Sequence, residues 1–164
     1  MTPVYVLDAN VFIEAAERYY AFDLVPAFWN VLVEQAAKGR VLSIDRVRQE
    51  ITRCNNSLAD WANREFQNWF ARSDEQHVIR AYQDLMTWVY HQNQFFDSAK
   101  YEFASGADGW LVAYGKAHGH VVVTHEQFRR DIRRRIPIPN VCVAFGVPFV
   151  DTFTMLRQLG VKLA

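Results

Sequence analysis

Excess charge of either sign is missing from this chain: 18 Lys and Arg stand against 18 Asp and Glu in 164 residues. A balanced total argues against a protein that coats nucleic acid nonspecifically. Glycine (7) and proline (5) are scarce while 15% of residues are aromatic, which excludes collagen-like, linker-like and disordered chains. The two cysteines, Cys54 and Cys142, lie far apart without C-x-x-C spacing. That usage excludes a disulfide framework and predicts two buried thiols in a reducing cytoplasm. Long hydrophobic runs are absent too, because the stretch 136–150 contains Pro137, Pro139, Asn140 and Pro148 and is too short to cross a bilayer. The first apolar run has no basic residues before it and is interrupted by Asp8, so no signal peptide is expected and the expected location is the cytoplasm.

What is present fits one domain over residues 1–164, long enough to bury roughly 70% of its unfolded surface without disulfides or a structural metal. Four short runs rich in apolar and β-branched residues, at 4–7, 41–44, 121–124 and 147–150, read as strands covered on both faces. Between the first two, Pro26 opens a helix that Gly39 closes, with Phe28, Trp29, Leu32, Val33 and Ala36 at helical spacing. Asp45 is placed to cap a helix running to about Cys54. Residues of about 55–104 show no strand pattern and read as a helical insertion at one end of the sheet, its Trp61, Phe66, Trp69, Phe70, Trp88, Phe95 and Phe96 serving mainly as core. A further helix spans about 107–118 and ends at Gly119. Alternating strands and helices predict an α/β fold with a mostly parallel sheet.

Ligands of such sheets bind beyond the carboxyl ends of the strands, near the point where strand order reverses. The residues there are acidic: Asp8, Asp45, Glu126 and Asp151. Asp45 and Asp151 are accounted for as helix caps. Glu50 occupies the apolar stripe Val47, Glu50, Ile51, Cys54, where a carboxylate is costly unless it meets a cation, strong donors or a metal. An ion pair along the helix to Arg46 or Arg53 is the structural alternative. Asp108 stands in the first turn of its helix. Together Asp8, Glu50, Asp108 and Glu126 converge on one sheet end without a cation for each, and oxygen donors of this kind suit Mg²⁺ or Mn²⁺.

Four segments carry a resemblance: Val6-Leu7-Asp8-Ala9-Asn10-Val11-Phe12, Val47-Arg48-Gln49-Glu50-Ile51, Ala107-Asp108-Gly109-Trp110-Leu111-Val112-Ala113 and Val122-Val123-Thr124-His125-Glu126-Gln127-Phe128. In order and character they resemble the acidic motifs of the PIN domains, metal-dependent ribonucleases that include the toxins of VapC-type toxin–antitoxin pairs. The stretch 138–148 further resembles a bacterial PIN-like branch. This resemblance implies a three-layer α/β/α fold and an Mg²⁺- or Mn²⁺-dependent endoribonuclease. It implies that Asp8, Glu50 and Asp108 are metal-binding acids, that Asn10 is the small polar residue fixing their geometry, and that Glu126 replaces a customary Asp. The partners it implies are an RNA substrate, an antitoxin protein and a second copy of the chain, with no membrane.

An acidic site repels a polyanion, and Arg129, Arg130, Arg133, Arg134 and Arg135 supply the neighbouring positive charge for phosphate contacts, unless they form a solvated helix end or bind an acidic partner. A catalytically weak PIN-fold binding module is the alternative to the nuclease. Asp8-Ala9-Asn10 also approaches an Asp-x-Asp phosphatase nucleophile, but Asn10 cannot serve as its general acid. His118, His120 and His125 lie close in sequence without a zinc-site spacing. Phosphate-loop, dinucleotide-binding and nucleophile-elbow patterns are missing.

Overall fold

The structure, a computed structural model, describes residues 2–164. Five parallel strands form one sheet in the order β3-β2-β1-β4-β5. They are β1 (Tyr5–Leu7), β2 (Val41–Ile44), β3 (Phe70–Ala71), β4 (Val121–Val123) and β5 (Phe149–Val150). Consecutive residues of a strand point to opposite faces, and Tyr5, Val6 and Leu7 are all buried, so helices cover both sides of the sheet. The result is a three-layer α/β/α sandwich. Register pairs Tyr5 with Val41 on one side and with Val121 on the other.

The helices are α1 (Ala9–Glu14), α2 (Pro26–Ala37), α3 (Asp45–Ile51), α4 (Ser57–Arg64), α5 (Gln76–His91), α6 (Asp97–Ser105), α7 (Asp108–His118), α8 (Ile138–Phe145) and α9 (Thr152–Leu159). Helix α7 lies on β1 and β4 and packs against α5 and α8. Its glycines permit this approach: a Cβ on Gly115 would stand 2.9 Å from Val122 Cγ2. Gly119, at φ +69°, then turns the chain into β4. A buried aromatic cluster, in which Phe12, Trp29, Trp61 and Phe66 stack or meet edge to face, ties α1 and α2 to α4. Trp69, Phe70 and Trp88 pack partly buried against the core, and Phe95 is buried, whereas Phe96 is exposed.

Several expectations need correction. The segment 55–104 is not purely helical, because Phe70 and Ala71 pair with Ser43 and Ile44 and add the sheet's edge strand. Its α5 belongs to a helical layer through α7 rather than to one end of the sheet. Asp45 does not cap α3; its carboxylate instead accepts from Ser73 Oγ at 2.7 Å and from the Arg46 and Ser73 backbone N–H groups, fastening the chain after β3. Helix α3 ends at Ile51, so Cys54 is exposed and only Cys142 is buried. Asp151 caps α9 as expected, accepting from Thr154 N at 2.7 Å. Arg129 to Arg135 form a loop, not a helix end. Among the described residues, no helix is long and apolar enough to cross a membrane.

Candidate metal centre and nucleic-acid interface

The chain runs from β1 outward to β2 and β3, then returns to β4 and β5 on the other side, so strand order reverses between β1 and β4. Asp8 follows β1 at this switch point, where open α/β sheets form their crevice. It is only 2% exposed. Its backbone N–H donates to Val123 O at 3.0 Å, and its Oδ2 accepts from Thr124 Oγ1 at 3.1 Å. Thr124 Oγ1 in turn accepts from Glu126 N at 3.1 Å, so one hydroxyl at the end of β4 orients two of the acids.

Glu50 reaches across from α3. Its Oε1 accepts from Ala107 N at 3.0 Å, immediately before Asp108 opens α7. The ion pair to Arg46 or Arg53 does not form among the described residues; Arg46 turns away to Ser73 Oγ and stacks over the Trp110 ring. Glu126 is held similarly, its Oε1 accepting from Ile138 N at 2.9 Å at the start of α8, while Arg135 Nη2 stands 3.8 Å from its Oε2. Asn10 is exposed on α1 at the rim. Asn10, Glu50, Asp108, Glu126 and Arg135 line a cleft of about 360 Å³, which Glu102 of α6 also enters.

The electrostatic consequence falls on two aspartates. Burial foremost, then repulsion from Asp108, Glu126 and Glu50, holds the Asp8 carboxyl well above its ordinary range despite the Thr124 hydrogen bond. Burial and repulsion from Glu126 and Glu50 push Asp108 up to about 7, with Arg135 only partly offsetting them. These two groups thus resist ionisation unless positive charge is added. Among the described residues, no three of the four acids bring an oxygen each as close together as the 4.8 Å that marks a tight donor group. An ion there would be held directly by at most two of these carboxylates, with waters completing its shell, as Mg²⁺ allows.

Of the five arginines only Arg135 meets the acids. With Phe96, Arg129, Arg133 and Arg134 it lines a second, shallower groove of about 560 Å³. The start of the arginine loop is fixed by Asn140, a residue 7% exposed that no sequence pattern marks as functional. It accepts from Arg129 N at 3.0 Å and donates to Arg129 O at 2.8 Å. Gln94 donates to Arg130 O and Ile132 O, pinning the loop from the other side. Thr124, which ends the predicted strand and lies in the fourth resemblance segment, gives no sign in the sequence of its hydroxyl's place between Asp8 and Glu126. Of the three histidines, His118 and His120 stack with ring centroids 5.4 Å apart and His118 turns to Glu75, while His125 lies elsewhere, its Nε2 meeting Thr152 Oγ1 at 2.9 Å.

The sheet order and the acids at its switch point define a PIN-like α/β fold. Over residues 5–163 the chain matches, and belongs to, the family described as "Domain of unknown function (DUF4411)". Among solved structures it is similar to VapBC2 from Rickettsia felis bound to a DNA fragment from its promoter, with TM-score 0.56 and 14% identity over 90% of this chain and 98% of that one. It is similar too to FitAcB from Neisseria gonorrhoeae, with TM-score 0.52 and 18% identity over 89% of this chain and 96% of that one. For FitAB bound to the IR36 DNA fragment the TM-score is 0.53 and the identity 18%, over 90% and 94% of the two chains. Among curated proteins none matches the chain.

Proposed function

We propose that this chain is a divalent-metal-dependent endoribonuclease that hydrolyses RNA phosphodiester bonds, and that it is the toxin of a toxin–antitoxin pair. The observation that carries the catalytic reading is the charge imbalance at the switch point: Asp8, Glu50, Asp108 and Glu126 are gathered there, and among the described residues Arg135 is the one cation paired with any of them. Asp8 and Asp108 would hold the ion. Glu50 and Glu126 each commit one oxygen to a backbone N–H; Glu50 keeps the other available, whereas Glu126 Oε2 stands 3.8 Å from Arg135 Nη2. Mg²⁺ or Mn²⁺, when bound, supplies water activation and neutralisation of charge on the phosphate oxygens.

The rest belongs to the polypeptide. Thr124 keeps Asp8 oriented, and the backbone bonds to Glu50 and Glu126 spare those side chains the entropic cost of ordering when substrate arrives. Asn10 at the rim offers an amide to fix a water or a phosphate oxygen. Arg135 belongs to both the cleft and the arginine groove, so a strand laid in the groove is led to the acids. The partner reading rests on the sequence resemblance to toxin domains and on the fold shared with VapBC2 and FitAcB.

Cleavage of an end-labelled RNA pool tests the proposal, with wild type, Asp8→Asn and Asp108→Asn each assayed in Mg²⁺, Mn²⁺ and EDTA. Metal-dependent cleavage by the wild type, reduced about 100- to 1,000-fold in both folded variants, is expected for loss of a charge-stabilising group of this kind. Retained cleavage in Asp8→Asn overturns the assignment. A folded wild type that cuts nothing and binds no divalent ion is instead a PIN-fold binding module.

A further inference from the structure

The far end of α7 carries a second constellation. Its 11 residues separate Asp108 from His118 by about 15 Å along the helix axis. His118 is its last residue, and the N-terminus of α5 lies beside it, bringing Glu75 and His77. One ligand atom from each of Glu75, His77 and His118 lies within 4.8 Å of the other two. His118 Nε2 stands 3.2 Å from Glu75 Oε1, and His77 Nε2 stands 3.8 Å from Glu75 Oε2. The two imidazole rings meet at 62° with centroids 4.9 Å apart, so both present a nitrogen to one carboxylate from different sides.

We infer that Glu75, His77 and His118 form a transition-metal site for Zn²⁺, distinct from the carboxylate cleft. Two imidazoles and one carboxylate are a borderline-soft donor set, unlike the all-oxygen set around Asp8, and such a trio leaves a fourth tetrahedral position for water or an external ligand. Ligand atoms around zinc lie about 3.4 Å apart, given bonds of roughly 2.0–2.1 Å. The His118–Glu75 pair already has that separation, and His77, exposed at the start of α5, needs only a side-chain rotation to reach it. Tyr114 stacks on the His118 ring at 4.2 Å and 28°, which presets the less mobile ligand. Bound there, the ion clamps the start of α5 to the end of the helix whose other end presents Asp108.

Zinc titration by calorimetry of metal-stripped, tag-free protein tests the site. The four proteins are the wild type, His77→Ala, His118→Ala and the Asp8→Asn/Asp108→Asn double variant. The double variant is expected to keep one zinc equivalent undisplaced by excess Mg²⁺. Each histidine variant is expected to weaken that binding more than about 100-fold, the upper range for losing even an outer partner of a metal ligand. Unchanged zinc-free melting of His77→Ala, whose side chain is 52% exposed, separates ligand loss from misfolding. Cobalt(II) gives a second readout, a tetrahedral visible band in the double variant that His77→Ala abolishes. Zinc affinity that survives both histidine substitutions, or that disappears with Asp8 and Asp108, overturns the assignment.

Discussion

Asp108 has to ionise against burial and two neighbouring glutamates, and the cost of doing so is written into the stability of the metal-free chain. Its pKa rises from 3.8 to about 7 on folding, so between those values the native state binds more protons than the unfolded one. Stability is then highest at the acid side of the window and falls as pH rises from about 4 to about 7. Asp8 is shifted in the same direction and adds to the loss. Asp151 runs the other way: the Thr154 N–H lowers its pKa, and its contribution is lost only as pH falls below the usual carboxylate range. Melting in EDTA should therefore show a lower Tm at pH 8 than at pH 5.5, and added Mg²⁺ should restore it. Asp108→Asn should flatten this profile and stabilise the metal-free protein at pH 8, by at most about 4 kcal/mol given ~1.4 kcal/mol per pKa unit. His120 and His125, whose pKa values burial lowers, oppose this fall as pH rises, so a Tm profile in EDTA that Asp108→Asn leaves unchanged would contradict the shared repulsion. Three of the acids stood out by position, Asp8 and Glu126 after strands and Glu50 in an apolar stripe, whereas Asp108 stood out only as the acid in the first turn of its helix. The Thr124 hydroxyl did not, since its acceptor, Asp8, is more than a hundred residues away in sequence.

Among the elements, α7 is the one on which both candidate sites depend, and its seat on β4 is a matter of volume. Alanine in place of Gly115 gains up to about 1 kcal/mol of helix propensity but places a methyl 2.9 Å from Val122 Cγ2 and 3.4 Å from Val147 Cγ1. Both valines are buried and branched, so neither can swing aside. Overpacking of this kind costs about 1–3 kcal/mol, so Gly115→Ala should lower the unfolding free energy by a net ~0–2 kcal/mol, seen as a lower urea midpoint at an unchanged m-value. A stabilised variant would mean that α7 does not bear on β4 as closely as the structure shows. The elements most legible beforehand were those with a punctuating residue: Pro26 opens α2, Gly119 closes α7, and Asp151 caps α9. Strand β3 escaped because two half-buried residues have no period to detect; Phe70 and Ala71 are a strand only through Ser43 and Ile44. The early end of α3 escaped because no punctuating residue marks Ile51, and at its start the carboxylate expected to cap it is claimed by Ser73, 28 residues on.

At the scale of the molecule, zero net charge conceals a division of labour between an acidic cleft and a basic groove that share Arg135. Composition could show that the arginines cluster, and strand pattern could show that the acids follow strands. Neither could set the two side by side. Their adjacency depends on the strand order, which puts β4 against β1, and on the Asn140 amide and the Glu126 bond to Ile138, which fold the loop after β4 back over α8. If the groove guides RNA, replacing Arg133 and Arg134 by glutamate removes two phosphate contacts, and the slope of log affinity against log salt should shrink by about 1.4 for a single strand. Both side chains are exposed and neither meets the acids, Arg133 instead donating to Gln94 O at 3.3 Å and lying over the Phe96 ring, so the substitutions leave the acids and their backbone bonds in place. Filter binding to a single-stranded RNA from 50 to 300 mM KCl, using Asp108→Asn protein to prevent cleavage, reads the slope directly. The same reversal in the active background should raise KM more than it lowers kcat, because the groove holds the strand and does not touch the scissile bond. An unchanged salt slope with unchanged cleavage would remove RNA from the groove and assign its positive charge to an acidic protein partner, which the same charge reversal should then release.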